Sequence, residues 1–134
     1  MSTASFASLA NADIIEVELN PLTGDAKRVR LLVDSGFTGT SSLVLPNELA
    51  EFSQADLPES ETSGALHGLQ KRGWDSCQVL GMSSRQTVIA IFTDVSVLSL
   101  PENVVGMVGL TFLRQFSQWG AALTATGWQF SLNE

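Results

Sequence analysis

The sequence predicts an all-β domain with one or two short helices. Most segments with a readable hydrophobic pattern alternate apolar and polar residues, as strands with one buried face do. Clusters of turn residues separate these segments at short intervals, as hairpins require. At 134 residues and 44% hydrophobic side chains, the chain is suited to one globular domain with its own core.

The first predicted hairpin lies near the N-terminus. Residues 15–19 alternate aliphatic side chains with glutamates, which predicts a half-buried strand. The turn residues of 20–25 follow, and residues 27–33 form the returning strand. This second strand becomes apolar on both faces as it approaches Asp34. It is therefore predicted to enter the middle of the molecule at that acid.

The middle of the chain combines strands with polar connections. Residues 42–45 predict a strand, and residues 46–52, with a proline at their start, predict a short helix. Residues 53–63 carry three acids and no base, and we expect a solvated connection there. A second hairpin is predicted next, with arms at 74–80 and 87–92 around a turn at 81–85.

The last third predicts a buried strand, a helix and a closing hairpin. Residues 104–109 form an apolar run that ends in glycine, and residues 110–116 space their leucines for one helix face. The hairpin has arms at 119–123 and 128–132. Residues 1–12 are small and polar, so we expect a flexible N-terminal tail before a single domain at 13–134.

Composition excludes several classes of function. The net charge of −7 argues against nucleic acid and anionic membrane surfaces as partners, since both need clustered basic residues. No stretch approaches the ~20 apolar residues of a spanning helix. With one cysteine and one histidine, the chain predicts no internal disulfide and has few ligands for a metal site. These features predict a cytoplasmic protein.

Three features carry the candidate chemistry. An apolar strand runs directly into Asp34-Ser35-Gly36, and a glycine-bearing segment follows at 63–68. A second apolar strand, Met107-Val108-Gly109, ends in glycine and leads into the predicted helix. In this order the features resemble the retropepsin-like (retroviral-type) aspartic proteases of clan AA. Residues 32–46 are especially similar to the prokaryotic members, and the resemblance spans residues 14–132.

The resemblance implies a fold and an assembly. The fold is a retropepsin-like closed β domain, the acid-protease half-barrel, with one short C-terminal helix. The chemistry of such proteases needs two carboxylates that share one proton. Because this chain has a single Asp-Ser-Gly, the resemblance implies a homodimer in which Asp34 of each copy contributes one carboxylate.

The resemblance also implies roles for individual residues in an aspartic endopeptidase that needs no metal or cofactor. Asp34 activates a water, while Ser35 and Gly36 orient the carboxylates. Substrate peptide is bound by Phe37 and by a mobile flap, and an apolar wall stands behind the acid pair. The flap residues are Ala65, Leu66, His67 and Gly68, and the wall residues are Val108 and Gly109.

Two departures from the family pattern leave alternatives open. Phe37-Thr38-Gly39 stands where retroviral enzymes often carry acids, and Leu110 stands where they usually carry an arginine. One alternative is a catalytically inactive dimer of the same fold that binds peptides or acts in assembly. Another is a monomer in which the Asp34 turn is only structural, because Asp-Ser-Gly is common in turns.

Overall fold

A computed structural model describes residues 2–20, 25–38, 43–46, 49, 56–63, 66–92 and 100–134, with only the main chain described for 56–63, 66–76 and 85–92. These ranges contain ten strands and one short helix. The elements are β1 (Thr3–Ala7), β2 (Ile14–Asn20), β3 (Lys27–Val33), β4 (Leu43–Pro46), β5 (Asp56–Ser63), β6 (Leu66–Val79), β7 (Arg85–Phe92), β8 (Gly106–Val108), α1 (Leu110–Leu113), β9 (Gln118–Thr124) and β10 (Gly127–Asn133). The predicted mostly β fold with one short helix is confirmed.

The described strands form two sheets. The larger has the order β2-β3-β8-β4-β7-β6-β5, and β2 also pairs with the end of β6. The smaller is antiparallel with the order β1-β10-β9. In the larger sheet β3 pairs with β8, and β4 with β7, in parallel. The short strand β8 therefore lies in the middle of the larger sheet, with β3 on one side and β4 on the other.

The first hairpin forms as predicted from its alternating pattern. Ile15, Val17 and Leu19 are completely buried on β2. On the opposite face, glutamates of β2 lie across from arginines of β3, in the pairs Glu16↔Arg30 and Glu18↔Arg28. Opposite charges directly across a strand pair favour this register. Pattern and charge thus select the same alignment of β2 with β3.

Close packing of β8 against its neighbours depends on one glycine. A Cβ added to Gly106 would collide with the carbonyl oxygen of Val44 on β4. Only glycine allows the two backbones to approach this closely. The hydrophobic core contains Val108, Phe112 and Leu113, all fully buried. The rings of Phe112 and Phe116 contact edge to face, with their centroids 5.4 Å apart.

The N-terminal residues form a strand instead of the predicted flexible tail. Residues 3–7 pair along their whole length with β10, in a register from Thr3↔Asn133 to Ala7↔Gln129. Ala4 is buried and Phe6 packs against the core. The strand has only these two inward-facing side chains, and one is small, so its hydrophobic pattern is weak. Main-chain hydrogen bonds to β10 therefore supply the stabilisation that the side chains of β1 do not.

Residues 56–63 likewise form a strand where the sequence predicted a solvated connection. This strand, β5, pairs antiparallel with β6 at the end of the larger sheet, with two irregularities of register. A strand at a sheet edge needs main-chain hydrogen bonds more than buried side chains, so its acidic residues do not prevent pairing. The β6–β7 hairpin is confirmed, although β6 begins at Leu66. The predicted helix at 46–52 lies almost entirely outside the described residues.

The C-terminal elements match the predicted order. The helix α1 begins directly after Gly109 and is shorter than the predicted 110–116, since residues 114–117 continue as turns and bends. The closing hairpin β9–β10 is confirmed, with Gly127 paired to Thr124 next to its turn. Among the described helical residues, no helix is long and apolar enough to cross a membrane.

Candidate active site

Asp34 lies at the end of the central parallel pair of strands. It directly follows β3, and its main-chain N–H donates to the carbonyl of Val108 at 3.0 Å. The pairing of β3 with β8 thus continues through Asp34. The neighbouring Val33 is held on its other side, where its N–H donates to the carbonyl of Asp13 at 2.9 Å. The main chain at Val33 and Asp34 is therefore held by β8 on one side and by Asp13 on the other, while the Asp34 side chain is partly exposed.

The residues after Asp34 form a tight turn that orients its carboxylate. The N–H of Gly36 donates to Asp34 Oδ1 at 3.0 Å, and the N–H of Phe37 donates to the Asp34 carbonyl at 3.1 Å. The first of these bonds defines an Asx turn. A charge-assisted bond to a main-chain N–H holds one carboxylate oxygen without using another side chain. Ser35 and Gly36 are exposed at the tip of this turn.

Phe37 anchors the Asp34 turn through its buried side chain and its main-chain hydrogen bonds. Its side chain is 2% exposed and packs in a small buried cluster with Val44 and Met107. Its carbonyl accepts a hydrogen bond from the N–H of Leu110 at 2.9 Å, at the start of α1. In this single chain, the ring offers almost no surface to a peptide. The residue predicted to bind substrate is therefore positioned as a support for the Asp34 turn.

Gly109 fits closely against this anchor. A Cβ at Gly109 would lie 2.7 Å from both the carbonyl oxygen and Cδ1 of Phe37. Val108 is completely buried directly beside Asp34. The structure therefore brings Asp34, Ser35, Gly36, Phe37, Val108 and Gly109 together in one loop-and-strand unit.

The predicted flap residues are only partly described. Ala65 lies outside the described residues. Leu66, His67 and Gly68 begin β6, where Leu66 pairs with Ser63 of β5, and only their main chain is described. Their role in binding a peptide stays a prediction.

Sequence reasoning missed the segment of residues 8–13. Ser8 Oγ donates to Asp13 Oδ1 at 2.7 Å, and the N–H of Leu9 donates to the carbonyl of Ala12 at 2.9 Å. These bonds form a compact turn, which reaches the Asp34 loop through the bond between Asp13 and Val33. Ser8 and Asp13 could have indicated this turn, because their side chains favour turns. The small, polar residues of 1–12 instead led to the prediction of a flexible tail.

The described residues contain no group of three or more histidine, cysteine, aspartate or glutamate side chains that could hold a metal ion.

Comparisons with known proteins identify the fold. The chain is similar to the crystal structure of a retropepsin-like aspartic protease from Rickettsia conorii, with a TM-score of 0.59 over 98% of this chain and 90% of that one. The two sequences are 16% identical, so the likeness is one of fold. No family model and no curated protein sequence matches the chain. The fold that the sequence motifs implied, that of a retropepsin-like aspartic protease from a prokaryote, is confirmed at this level.

Proposed function

We propose that this chain is an aspartic endopeptidase that acts as a homodimer. The observation that carries the proposal is the Asp34 turn, held at the end of a central parallel strand pair in a retropepsin-like fold. The sequence has one Asp-Ser-Gly, so a second carboxylate must come from a second copy. Each copy then acts as one acid-protease half-barrel.

In the proposed reaction two Asp34 carboxyl groups face each other across a twofold axis and share one proton. Two carboxylates ~3 Å apart cannot both be ionised without a large penalty. The ionised group accepts a proton from a water, which attacks the peptide carbonyl. The protonated group donates to the carbonyl oxygen, and a proton then passes to the leaving nitrogen. No metal or cofactor takes part in these steps.

The other predicted site residues have supporting roles in this proposal. Gly36 holds Asp34 Oδ1, and Ser35, exposed beside it, contacts the corresponding turn of the second copy. Val108 and Gly109 form the apolar wall behind the acid pair, and Phe37 anchors the turn. Ala65, Leu66, His67 and Gly68 cover an extended peptide or protein substrate, which pairs with the flap as an added strand. The enzyme is proposed to be cytoplasmic and to bind neither nucleic acid nor membranes.

The test of this function compares wild type with Asp34→Asn on a peptide library at acid and neutral pH, with cleavage detected by mass spectrometry. The variant should lose hydrolysis and keep its circular dichroism spectrum and its mass in solution. Asp25→Asn is the matched control, since Asp25 is exposed in the first hairpin connection. Cleavage retained at the wild-type rate by Asp34→Asn would end the proposal.

One observation favours a second candidate, an inactive dimer that binds peptides or acts in assembly. Leu110 stands where the resemblance implies an arginine that locks the active-site loop, and in this structure its main-chain N–H holds the carbonyl of Phe37. Peptides that bind without being cut, with affinity unchanged in Asp34→Asn, would favour this module over the enzyme. A monomeric mass at micromolar concentration would favour a purely structural Asp34 turn.

A further inference from the structure

A groove lies between the turn of residues 8–13 and the β9–β10 hairpin. It is lined by residues 8–13 on one side and by Ala121 and Trp128 on the other, and its volume is about 320 Å³. Pockets that hold small ligands begin at about 300 Å³. The groove is therefore large enough for one long side chain or a group of similar size.

Ser8 connects the two sides of this groove by direct contacts. Its main-chain N–H donates to the carbonyl of Trp128 at 3.0 Å, and its Oγ donates to Asp13 Oδ1 at 2.7 Å. The main chain of Asp13 is held in turn, because its carbonyl accepts the N–H of Val33 at 2.9 Å. The residues that carry an indole and a carboxylate are thus held at the same groove.

Asp13 gives the groove a negative charge that no described residue neutralises. It is the only charged residue of the lining, and the flanking residues 1–12 and 115–133 carry no charge. Within the described ranges Asp13 has no salt bridge, and the hydroxyl of Ser8 donates only to its Oδ1. Asp13 is half-buried, so its charge is screened less than that of a fully exposed carboxylate. Its Oδ2 is therefore able to accept hydrogen bonds from a cation.

Trp128 adds an aromatic surface to the same groove. It is 56% exposed, although it lies on a paired strand. A cation over the face of an aromatic ring is attracted by the quadrupole of the ring, and tryptophan gives the strongest attraction. An exposed indole and an unneutralised carboxylate at one groove together favour a group that is cationic and has a flat face.

The chemistry of the groove distinguishes between classes of ligand. The net charge of −7 and the carboxylate of Asp13 both repel an anion. A purely apolar group would remove water from the carboxylate without giving it a partner. An ammonium group would balance the charge, but a guanidinium is less strongly hydrated and also stacks on an aromatic face. The groove is therefore best suited to the guanidinium of arginine.

We propose that this groove binds an arginine side chain of a peptide, with the guanidinium stacked on Trp128 and hydrogen-bonded to Asp13 Oδ2. The carbon stem of the arginine packs on the small side chains of the lining, Ala10, Ala12 and Ala121. The inference goes beyond the proposed function, because no residue of the groove takes part in the proposed reaction.

The experiment is an NMR titration of isotope-labelled protein with the peptide acetyl-Gly-Gly-Arg-Gly-Gly-amide. The matched ligand is the same peptide with citrulline in place of arginine, which has nearly the same shape and no charge. The indole N–H signal of Trp128, identified by its loss in Trp128→Leu, reports binding. Because a hydrogen bond to a charged group is stronger than a neutral one, we expect the arginine peptide to bind at least about tenfold more tightly than the citrulline peptide.

Matched variants of the protein test the two contacts separately, with binding followed by the main-chain amide signals of residues 8–13. Asp13→Asn removes the charge and keeps an oxygen that can accept from Ser8, and it should weaken binding of the arginine peptide about tenfold. Trp128→Leu should weaken it about threefold, through loss of an exposed cation–π contact. Asp25→Asn and Leu80→Ala are the controls, since both residues are exposed and lie outside the groove, and both should leave the Kd unchanged.

The inference is overturned if the two peptides bind with equal affinity, or if the Trp128 indole signal does not shift at about 10 mM arginine peptide, a concentration that detects millimolar Kd values. Unchanged affinity in either Asp13→Asn or Trp128→Leu overturns it as well, since both residues are required.

These results are distinct from those for the proposed function. Arginine-dependent binding at the groove in a protein without Asp34-dependent cleavage supports the groove and removes the protease. Asp34-dependent cleavage in a protein that does not bind the arginine peptide keeps the protease and removes the groove.

Discussion

Gly109→Ala tests whether the anchor under the Asp34 turn is required for both stability and activity. A Cβ at this position would lie 2.7 Å from the Phe37 carbonyl oxygen, whereas ordinary contact begins at 3.4 Å, so Phe37 must retreat by about 0.7 Å. The carbonyl that must move also accepts the bond from Leu110, and Phe37 donates to Asp34. The substitution therefore displaces the turn that carries the carboxylate.

Two magnitudes follow from this displacement. Overpacking in a close-packed site costs about 1–3 kcal/mol of the free energy of unfolding, which urea titration followed by tryptophan fluorescence measures. A displacement of about 1 Å at a catalytic group lowers kcat by up to ~100-fold, so we expect a loss of at least about tenfold in peptide hydrolysis. Adding Phe37→Leu should restore neither quantity fully, since the contact with the main-chain oxygen remains.

The control for Gly109→Ala is Gly81→Ala. Gly81 has a φ of +78° and open space around its Cα, so alanine there is strained without touching a neighbour. It should cost about 1 kcal/mol through backbone strain and leave kcat unchanged. If Gly109→Ala unfolds at the same urea concentration as wild type and hydrolyses peptides at the same rate, the anchor has no such role.

Three further predictions concern pH, the core and the N-terminal strand. Hydrolysis should follow a bell-shaped pH profile centred below neutral, because the carboxyl pair must keep one proton and lose the other; a rate that rises steadily through pH 8 contradicts a shared proton. Leu31→Ala on β3 should lower the free energy of unfolding by about 2–5 kcal/mol, because Leu31 is fully buried and its removal leaves a cavity. A change below about 1 kcal/mol in urea titration would contradict this, since it would mean that neighbouring side chains fill the cavity. Phe6→Ala should cost about 1–3 kcal/mol and Ser5→Ala under about 0.5 kcal/mol, and equal effects would mean that β1 does not pack through Phe6.

The sequence predicted the elements whose side chains alternate strongly. In β2, three completely buried aliphatic residues alternate with charged ones, so the period agrees with the structure and the predicted boundaries differ from it by one residue at each end. The glycine after β8 was also predictive, because an apolar strand ending in Gly109 after an earlier strand ending in Asp34-Ser35-Gly36 is the order on which the resemblance rested. Strand pairing brings Asp34, Val108 and Gly109 together, as the family resemblance and not the local patterns implied.

The remaining elements depend on partners that are distant in sequence. β1 is stabilised by β10, more than 120 residues further along the chain, and a local pattern with Ala4 and Phe6 as its only inward side chains does not reveal that pairing. β5 is polar and pairs through its main chain. Phe37 was predicted to contact substrate because it follows the Asp-Ser-Gly motif. Its burial depends on the space that Gly109 leaves, a fit between segments about 70 residues apart.

Mixing wild type with Asp34→Asn tests most directly whether two copies share one site. The two chains are combined at equal concentration, allowed to exchange, and assayed at constant total protein. If one carboxylate from each copy is required, random pairing leaves about one quarter of the dimers active, and the rate should fall to about one quarter of the wild-type rate. A rate of about one half would show that each chain acts on its own, and would contradict the shared site.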